Sequence, residues 1–308
     1  MKINHFIYKI GLLAILLLVT YASSIHYLTT GPVDFYYHKF TEKSGSLIIG
    51  LSRARDGISP EILEANFENT YKKPLLNFAF ERTQSSFGQA YLNAIKQKID
   101  TNSTNGLFIV SVTPGSFVTA KRIKERDSLL FDQGLILSKL SNFNVNPNYE
   151  YIRKCYSSSL YRGFLKNKKS PRKIHNNGWI EFQGHLSINQ REKIRKLHLS
   201  EYSEVIKHIR KSNYKINQFK ETINFLKKHG TVVLIRMPMH PEFLEFEDQY
   251  WPEFNQFIKG YSEINKTPYF DYSKSNKNYK TVDGSHMFGE SAKEFSAQLA
   301  SDIKKIEN

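Results

Sequence analysis

Three short, continuous apolar runs constrain this chain more than any other feature: Ser46 to Leu51, Leu107 to Val112 (LFIVSV) and Thr231 to Met237 (TVVLIRM). Each is too short for a core helix and lacks the polar alternation of a half-exposed strand. Each therefore reads as a strand covered on both faces, the mark of a parallel sheet. Leu75 to Phe80 and Tyr269 to Tyr272 read as two further short strands. Helical periods fall between them. Ser59-Pro60-Glu61 starts a helix with a cap and a first-turn proline, Ser86 to Ile99 carries Tyr91, Leu92 and Ile95 on one face, and Glu290 to Ile306 closes the chain. The pattern predicts an α/β domain of three layers, with helices on both faces of about five parallel strands.

Residues 113–230 contain no convincing strand. They read as a helical insertion over about 120–225, rich in Lys, Tyr and Ser and interrupted at Asn176-Asn177-Gly178-Trp179. Tyr149, Tyr151, Tyr156 and Tyr161 either pack inside it or line a sugar-binding cleft. Residues 29–45 read as a linker into a domain spanning 46–308.

The linker follows a targeting segment over residues 1–28. Ile10 to Ala22 (IGLLAILLLVTYA) is apolar throughout and preceded by Lys2 and Lys9. That core suits a signal peptide, while its continuation to Leu28 approaches the ~20 residues a membrane span requires. An uncleaved anchor and a cleaved signal, cut near Ala22 to Ser24, both stay open. Either way the lysines remain cytoplasmic and the rest of the chain is exported as a single-pass or secreted body.

The balance of 44 Lys+Arg against 29 Asp+Glu gives a net charge of +15. Such a surface favours anionic partners or simply a solvated face; its densest run is residues 166–173. No nucleic-acid module or zinc spacing occurs, so nucleic acid is not an expected partner and no metal is expected. One cysteine, Cys155, excludes an intramolecular disulfide framework and reads as an inert thiol. No phosphate-cradling glycine loop appears, and no cofactor is expected.

Chemistry enters at two places. The first strand runs into Ser52, and Asp283-Gly284-Ser285-His286 sets an Asp three residues before a His just ahead of the last helix. A serine at a strand's C-terminal end with an Asp-x-x-His pair supplies the parts of a nucleophilic site. Ser52 would attack, His286 would act as base and Asp283 would orient it; such sites are defined by roles, not order. Arg53 and Arg55 follow the nucleophile and face either the cleft or solvent. His240 ends the fourth strand on the same edge, as a substrate contact or a plain loop residue.

These two blocks resemble the SGNH (GDSL-like) hydrolase superfamily, especially its membrane-anchored bacterial branch, which includes the teichoic-acid D-alanine transfer and alginate O-acetylation proteins. The resemblance covers about residues 45–115 and 230–305. Gly50-Leu51-Ser52 is similar to the nucleophile block, with Leu51 where soluble members usually have Asp, and Asp283 to His286 is similar to the last block. It implies a flavodoxin-like α/β/α fold. Asn77-Phe78-Ala79 stands at the second block, implying the Ala79 amide as an oxyanion donor where Gly is usual. The third block's Asn is missing after Val112, so that donor either comes from elsewhere, Thr113 or Ser116, or is absent.

The resemblance implies an exported, membrane-tethered serine esterase or O-acyltransferase. It would move a small acyl group, such as acetyl, on a cell-envelope polysaccharide, with an integral-membrane acyl donor protein as a possible partner. Hydrolysis and transfer share one acyl-serine and stay open. The alternative is a noncatalytic scaffold that keeps the fold and binds anionic glycan.

Overall fold

The computed structural model describes residues 2–68, 70–85, 87–165, 170–275 and 277–307. Ser86, at the expected start of a helix, and residues 166–169 of the basic run lie outside the described residues. Nine strands occur among the described residues: β1 Ser46–Ile49, β2 Leu75–Asn77, β3 Gly106–Ser111, β4 Val118–Ala120, β5 Arg172–Ile174, β6 Ile180–Phe182, β7 Ile209–Lys211, β8 Gly230–Arg236 and β9 Tyr269–Asp271.

Five of them form one sheet in the order β2-β1-β3-β8-β9, every pair parallel. Taken as successive core strands this is the flavodoxin-like order 2-1-3-4-5. Successive residues along each strand feed opposite cores. Leu47, Ile49, Phe108, Val110, Val232 and Leu234 join one cluster; Ile48, Leu107, Ile109, Val233 and Ile235 join the other. Both faces are thus buried, which explains why the runs read as solid apolar stretches.

Helices Gln89–Lys98, Asn213–Leu226 and Phe254–Asn265 cover the first face through Tyr91, Phe219 and Ile258. Helices Ser52–Gly57, Pro60–Asn66 and Gly289–Glu307 cover the second through Ala54, Leu63 and Phe295. The expected α/β sandwich is what the chain forms.

Two boundaries are corrected. Residues 29–45 are not a linker: Val33, Tyr37 and Phe40 lie in the core, with Phe40 stacked on Tyr151 at 5.2 Å. Lys39, fully buried, donates to the carbonyls of Asn77 and Gly178. Its surroundings hold its pKa well below the usual lysine value, burial being the main cause. Few apolar residues in that stretch made it read as linker; Tyr37 and Phe40 are large aromatics that pack, and Val33 packs with them.

The insertion is also not purely helical. β4 pairs antiparallel with β7, and β5 with β6, so two small ribbons brace it. These strands span three residues each, too few to show a period. The insertion ends earlier than expected, because Asn213–Leu226 is the crossover helix that leads into β8. The Asn176–Trp179 interruption is the tip of the β5–β6 hairpin. There Trp179 is fully buried and its indole N–H donates to the Asp56 carbonyl at 2.9 Å, at the end of the Ser52–Gly57 helix.

The tyrosines divide, with Tyr149 alone of the four lining a pocket, of about 840 Å³ beside the end of the N-terminal helix. Tyr151 is buried on Asp34, Tyr149 meets His26 at 2.8 Å and Tyr161 is exposed. The thiol of Cys155 is buried and pushed up to about 11 by burial, which makes it inert near neutral pH.

Among the described residues one helix, Ile3–Thr29, is long and apolar enough to cross a membrane. Its apolar length is exposed, but its last turn is built into the domain. Leu28 is buried, and the Tyr27 hydroxyl donates to the Phe164 carbonyl at 3.3 Å.

Candidate active site

β1 ends between β2 and β3, where successive connections leave on opposite sides of the sheet. That switch point opens a crevice beyond the strands' carboxyl ends, where ligands bind in such folds. Gly50 makes the turn there with φ +152°, and a Cβ on it would stand 2.8 Å from the Ser111 Cβ. Only glycine passes. The Tyr91 hydroxyl, itself bonded to the Phe78 carbonyl, lies 3.4 Å from the Gly50 amide and steadies the turn from below. Ser52 then opens its helix with Leu51 as N-cap, so its amide is among the first-turn donors without an acceptor inside the helix.

The second component hangs from a tight loop before the last helix. Thr281 and Met287 bridge, the Val282 amide donates to the His286 carbonyl at 2.8 Å, and the Gly284 amide donates to the Thr281 hydroxyl at 3.1 Å. Gly284 has φ +86°, and a Cβ there would meet Phe243 at 2.7 Å. Within this frame Asp283 Oδ1 accepts the amides of Ser285 and His286 at 2.9 and 2.8 Å. Its Oδ2 lies 2.7 Å from His286 Nδ1.

His286 Nε2 lies 2.8 Å from Ser52 Oγ. Residues 234 positions apart are thus joined by a chain of two hydrogen bonds. Burial pushes the Asp283 carboxyl up, but the charge of His286 and bonds from His198 and His286 outweigh it. They hold it well below the usual carboxylate range. An ionised Asp283 requires a proton on His286 Nδ1, which leaves Nε2 free to accept from Ser52.

Of the other candidate residues, Asn77, Ala79, Thr113, Arg53 and Arg55 are engaged inside the fold. Asn77 is fully buried, and its side-chain amide donates to the carbonyls of Ala54 and Ile58 at 2.9 and 3.0 Å. That turns its oxygen back to accept the Ala79 amide at 3.2 Å, so the expected oxyanion donor is engaged inside the fold. Asn77 holds the nucleophile helix instead of touching substrate.

The Thr113 hydroxyl donates to Glu247 at 2.8 Å and does not face the crevice. The Ser116 hydroxyl is buried without a hydrogen-bond partner among the described residues. Arg53 points inward, its Nε 2.8 Å from Ser285 Oγ and its Nη1 2.7 Å from Glu247. Arg55 is buried on Asp56 and Glu81, neither solvated nor in the cleft. His240 donates its amide to the Gly284 carbonyl at 2.8 Å, but its ring lies against the Arg195 guanidinium. That ring borders a cleft of about 600 Å³ also lined by Arg191, Lys274 and Lys280, and neither Ser52 nor His286 lines this cleft.

Two groups escaped sequence reasoning. Glu247 gathers Arg53, Arg236 and Thr113 beneath the site at 2.7, 2.9 and 2.8 Å. His198, from helix Ile188–Lys207 of the insertion, brings Nδ1 to 3.3 Å from Asp283 Oδ2. Neither sits in a motif. The only local signal for Glu247 is an acidic residue on the inner face of an amphipathic helix, three residues after Leu244. His198, Asp283 and His286 hold their ligand atoms within 4.8 Å of one another and are the side-chain types that a zinc ion takes. As placed, His286 is hydrogen-bonded to Asp283 Oδ2, while His198 Nδ1 stands 3.3 Å from the same oxygen without a hydrogen-bond partner among the described residues.

No protein-family profile matches the chain, and no curated protein does. Among solved structures, an aryl esterase of M. smegmatis in its inhibitor-bound form superposes with a TM-score of 0.38 at 10% identity, over 85% of this chain and 99% of the esterase. A likeness of that size carries no argument about activity, and the reading of the site rests on its own geometry.

Proposed function

We propose that the chain is an exported, membrane-tethered serine esterase or O-acyltransferase of the SGNH type. It would act on a small acyl group of a cell-envelope polysaccharide through an acyl-Ser52. The observation that carries this is the Ser52–His286–Asp283 chain of hydrogen bonds at 2.8 and 2.7 Å.

The chemistry runs as follows. Ser52 Oγ attacks the acyl carbon as its proton passes to His286 Nε2, and Asp283 stabilises the imidazolium that forms. The tetrahedral intermediate collapses, and His286 returns the proton to the departing alcohol. A second hydroxyl, from water or from a sugar, repeats the sequence in reverse. Of the expected oxyanion donors, the Ala79 amide and the Thr113 hydroxyl are bonded elsewhere, which leaves the Ser52 amide and the buried Ser116 hydroxyl. One missing donor costs roughly 3–4 kcal/mol of transition-state stabilisation, so slow turnover is expected.

That same shortage supports a second reading, a noncatalytic scaffold that binds anionic glycan through its +15 charge. A serine-reactive fluorophosphonate probe separates the two. Labelling of the native protein but not of Ser52→Ala is expected; a native protein that stays unlabelled would favour the scaffold.

The tether is the Ile3–Thr29 helix, preceded by Lys2, with the domain outside the cytoplasm. The helix continues past Ala22–Ser24 into contacts with the domain, which supports an uncleaved anchor. A reporter fused after Asn308 is expected to be active outside the cytoplasm, and activity confined to the cytoplasm would reverse this topology. An integral-membrane acyl donor is the partner that transfer would require.

A further inference from the structure

The His198 Nδ1 nitrogen is shut off from solvent and has no hydrogen-bond partner among the described residues. It stands 3.3 Å from Asp283 Oδ2, and His286 Nδ1 lies 2.7 Å from the same oxygen. A buried polar atom in this state calls for an occupant that the neighbouring protein groups do not supply. As a lone pair it faces an anionic oxygen, and as an N–H it goes unused. A cation held among the three groups answers both.

The three ligand atoms lie within 4.8 Å of one another. Imidazole and carboxylate both bind zinc, and bonds of ~2.0–2.1 Å set tetrahedral ligands about 3.3 Å apart. His198 and Asp283 already have that spacing, while His286 and Asp283 must part by about 0.6 Å. The carboxylate is held for the purpose, since Oδ1 accepts the amides of Ser285 and His286 and leaves Oδ2 free to ligate. Phe243 holds the His198 ring at 4.9 Å. The nearby guanidiniums do not fill the place, because Arg53 is paired with Glu247 and Arg195 with Glu192 and Glu242. The side chains of His198, Asp283 and His286 keep 26%, 13% and 15% exposure, so an ion and its water ligands can reach them.

We propose that His198, Asp283 and His286 form an inhibitory site for a divalent ion of the zinc class. The inhibition, unlike the binding, rests on the serine-site reading given above. Zinc takes the Nδ1 lone pair of His286, so the proton on Nδ1 leaves and the neutral ring carries one on Nε2 instead. Nε2 then has no lone pair with which to accept from Ser52, and the nucleophile loses its base. Asp283 is pinned by two amides, so the His286 ring is the part that moves to admit the ion. That movement also draws Nε2 off its 2.8 Å contact with Ser52.

The test uses the full chain in detergent, first stripped of metal, with Co²⁺ as spectroscopic probe and Zn²⁺ as inhibitor. Wild type and Ser52→Ala are expected to give the visible absorption of tetrahedral Co²⁺. His198→Phe keeps a ring on Phe243 without the ligand, and His198→Gln replaces the ligand with a polar side chain; both are expected to lose that band. Saturating Zn²⁺ is expected to slow fluorophosphonate labelling of wild type by about a hundredfold or more, the scale of a lost base, and a chelator to restore it. Both His198 variants are expected to label within about twofold of wild type without metal. They are expected to need roughly tenfold or more Zn²⁺ for the same inhibition, since even outer-shell partners are worth that much affinity.

Equal Co²⁺ spectra and equal Zn²⁺ sensitivity in wild type and both variants would overturn the proposal, because the ion would then need only Asp283 and His286. So would a wild type that takes up no Co²⁺. A His198-dependent band in a protein that is never labelled would overturn the serine site and the inhibition with it, and would leave the metal site standing.

Discussion

His286→Ala is expected to lower kcat/KM for a small acyl ester by about 10⁴-fold or more, with little change in thermal stability. The scale follows from serine sites whose members act as a unit, where loss of the base costs nearly as much as loss of all three groups. His286 accepts the Ser52 proton and must return it to the leaving group, and no second base stands 2.8 Å from Ser52 Oγ among the described contacts. His198 does not substitute for it, because it lies against Asp283, its Nδ1 3.3 Å from Oδ2.

The fold is expected to survive because the loop is held by its own backbone. The Thr281–Met287 bridge, the Val282 amide and the two amides on Asp283 Oδ1 do not involve the imidazole. Activity and melting temperature measured on one preparation check both halves. A variant that retains more than about a tenth of wild-type activity would remove His286 from the mechanism.

The parts of this site that were legible in the sequence are those where backbone and chemistry coincide. Gly50-Leu51-Ser52 ends an apolar run, and a serine there must lie at the carboxyl edge of a parallel sheet. Asp283 and His286 are three residues apart, so a single tight loop can join them. The apolar runs located the five core strands, every boundary falling within three residues of the reading, since double-sided burial leaves few polar interruptions.

What the sequence did not disclose depends on competition between partners. Ala79 stands where an oxyanion donor belongs, yet Asn77 claims its amide. Asn77 does so because its own side-chain amide is drawn to the carbonyls of Ala54 and Ile58. Arg53 beside the nucleophile reads equally as a substrate contact until Glu247, 194 positions away, is seen to hold it. Short strands such as β5 and β6 carry no period, and the aromatics of residues 33–40 are too few to announce a core. His198 lies 85 positions before Asp283, in a basic helix with no flanking motif.

Glu247→Ala is expected to have the largest effect on stability, about 3–5 kcal/mol, the cost of breaking a buried ion pair by removing one partner. Glu247 is almost wholly buried and accepts from Arg53, Arg236 and Thr113. Burial pushes its carboxyl up, and the guanidiniums of Arg53 and Arg236 outweigh that and hold it below the usual range. Its contribution is therefore complete above the carboxylate range of an unfolded chain, near pH 4.3, and is withdrawn only as pH falls through its lower folded value.

Truncation would leave Arg236, fully buried with two of its guanidinium nitrogens already lacking partners, with no carboxylate except Asp248 at 3.7 Å. Over a domain of this size the loss corresponds to a melting temperature lower by on the order of 10 °C. Arg236→Met added to Glu247→Ala is expected to regain part of it, because the second change removes the orphaned charge. A strictly additive pair would show that the two residues do not depend on each other.

The same truncation also reaches the site. Arg53 bonds Glu247 with Nη1 and Ser285 with Nε, so a freed guanidinium loosens the loop that carries His286. Glu247→Ala is therefore expected to reduce kcat at temperatures well below its melting point, whereas a substitution that only weakened the core would leave kcat intact there.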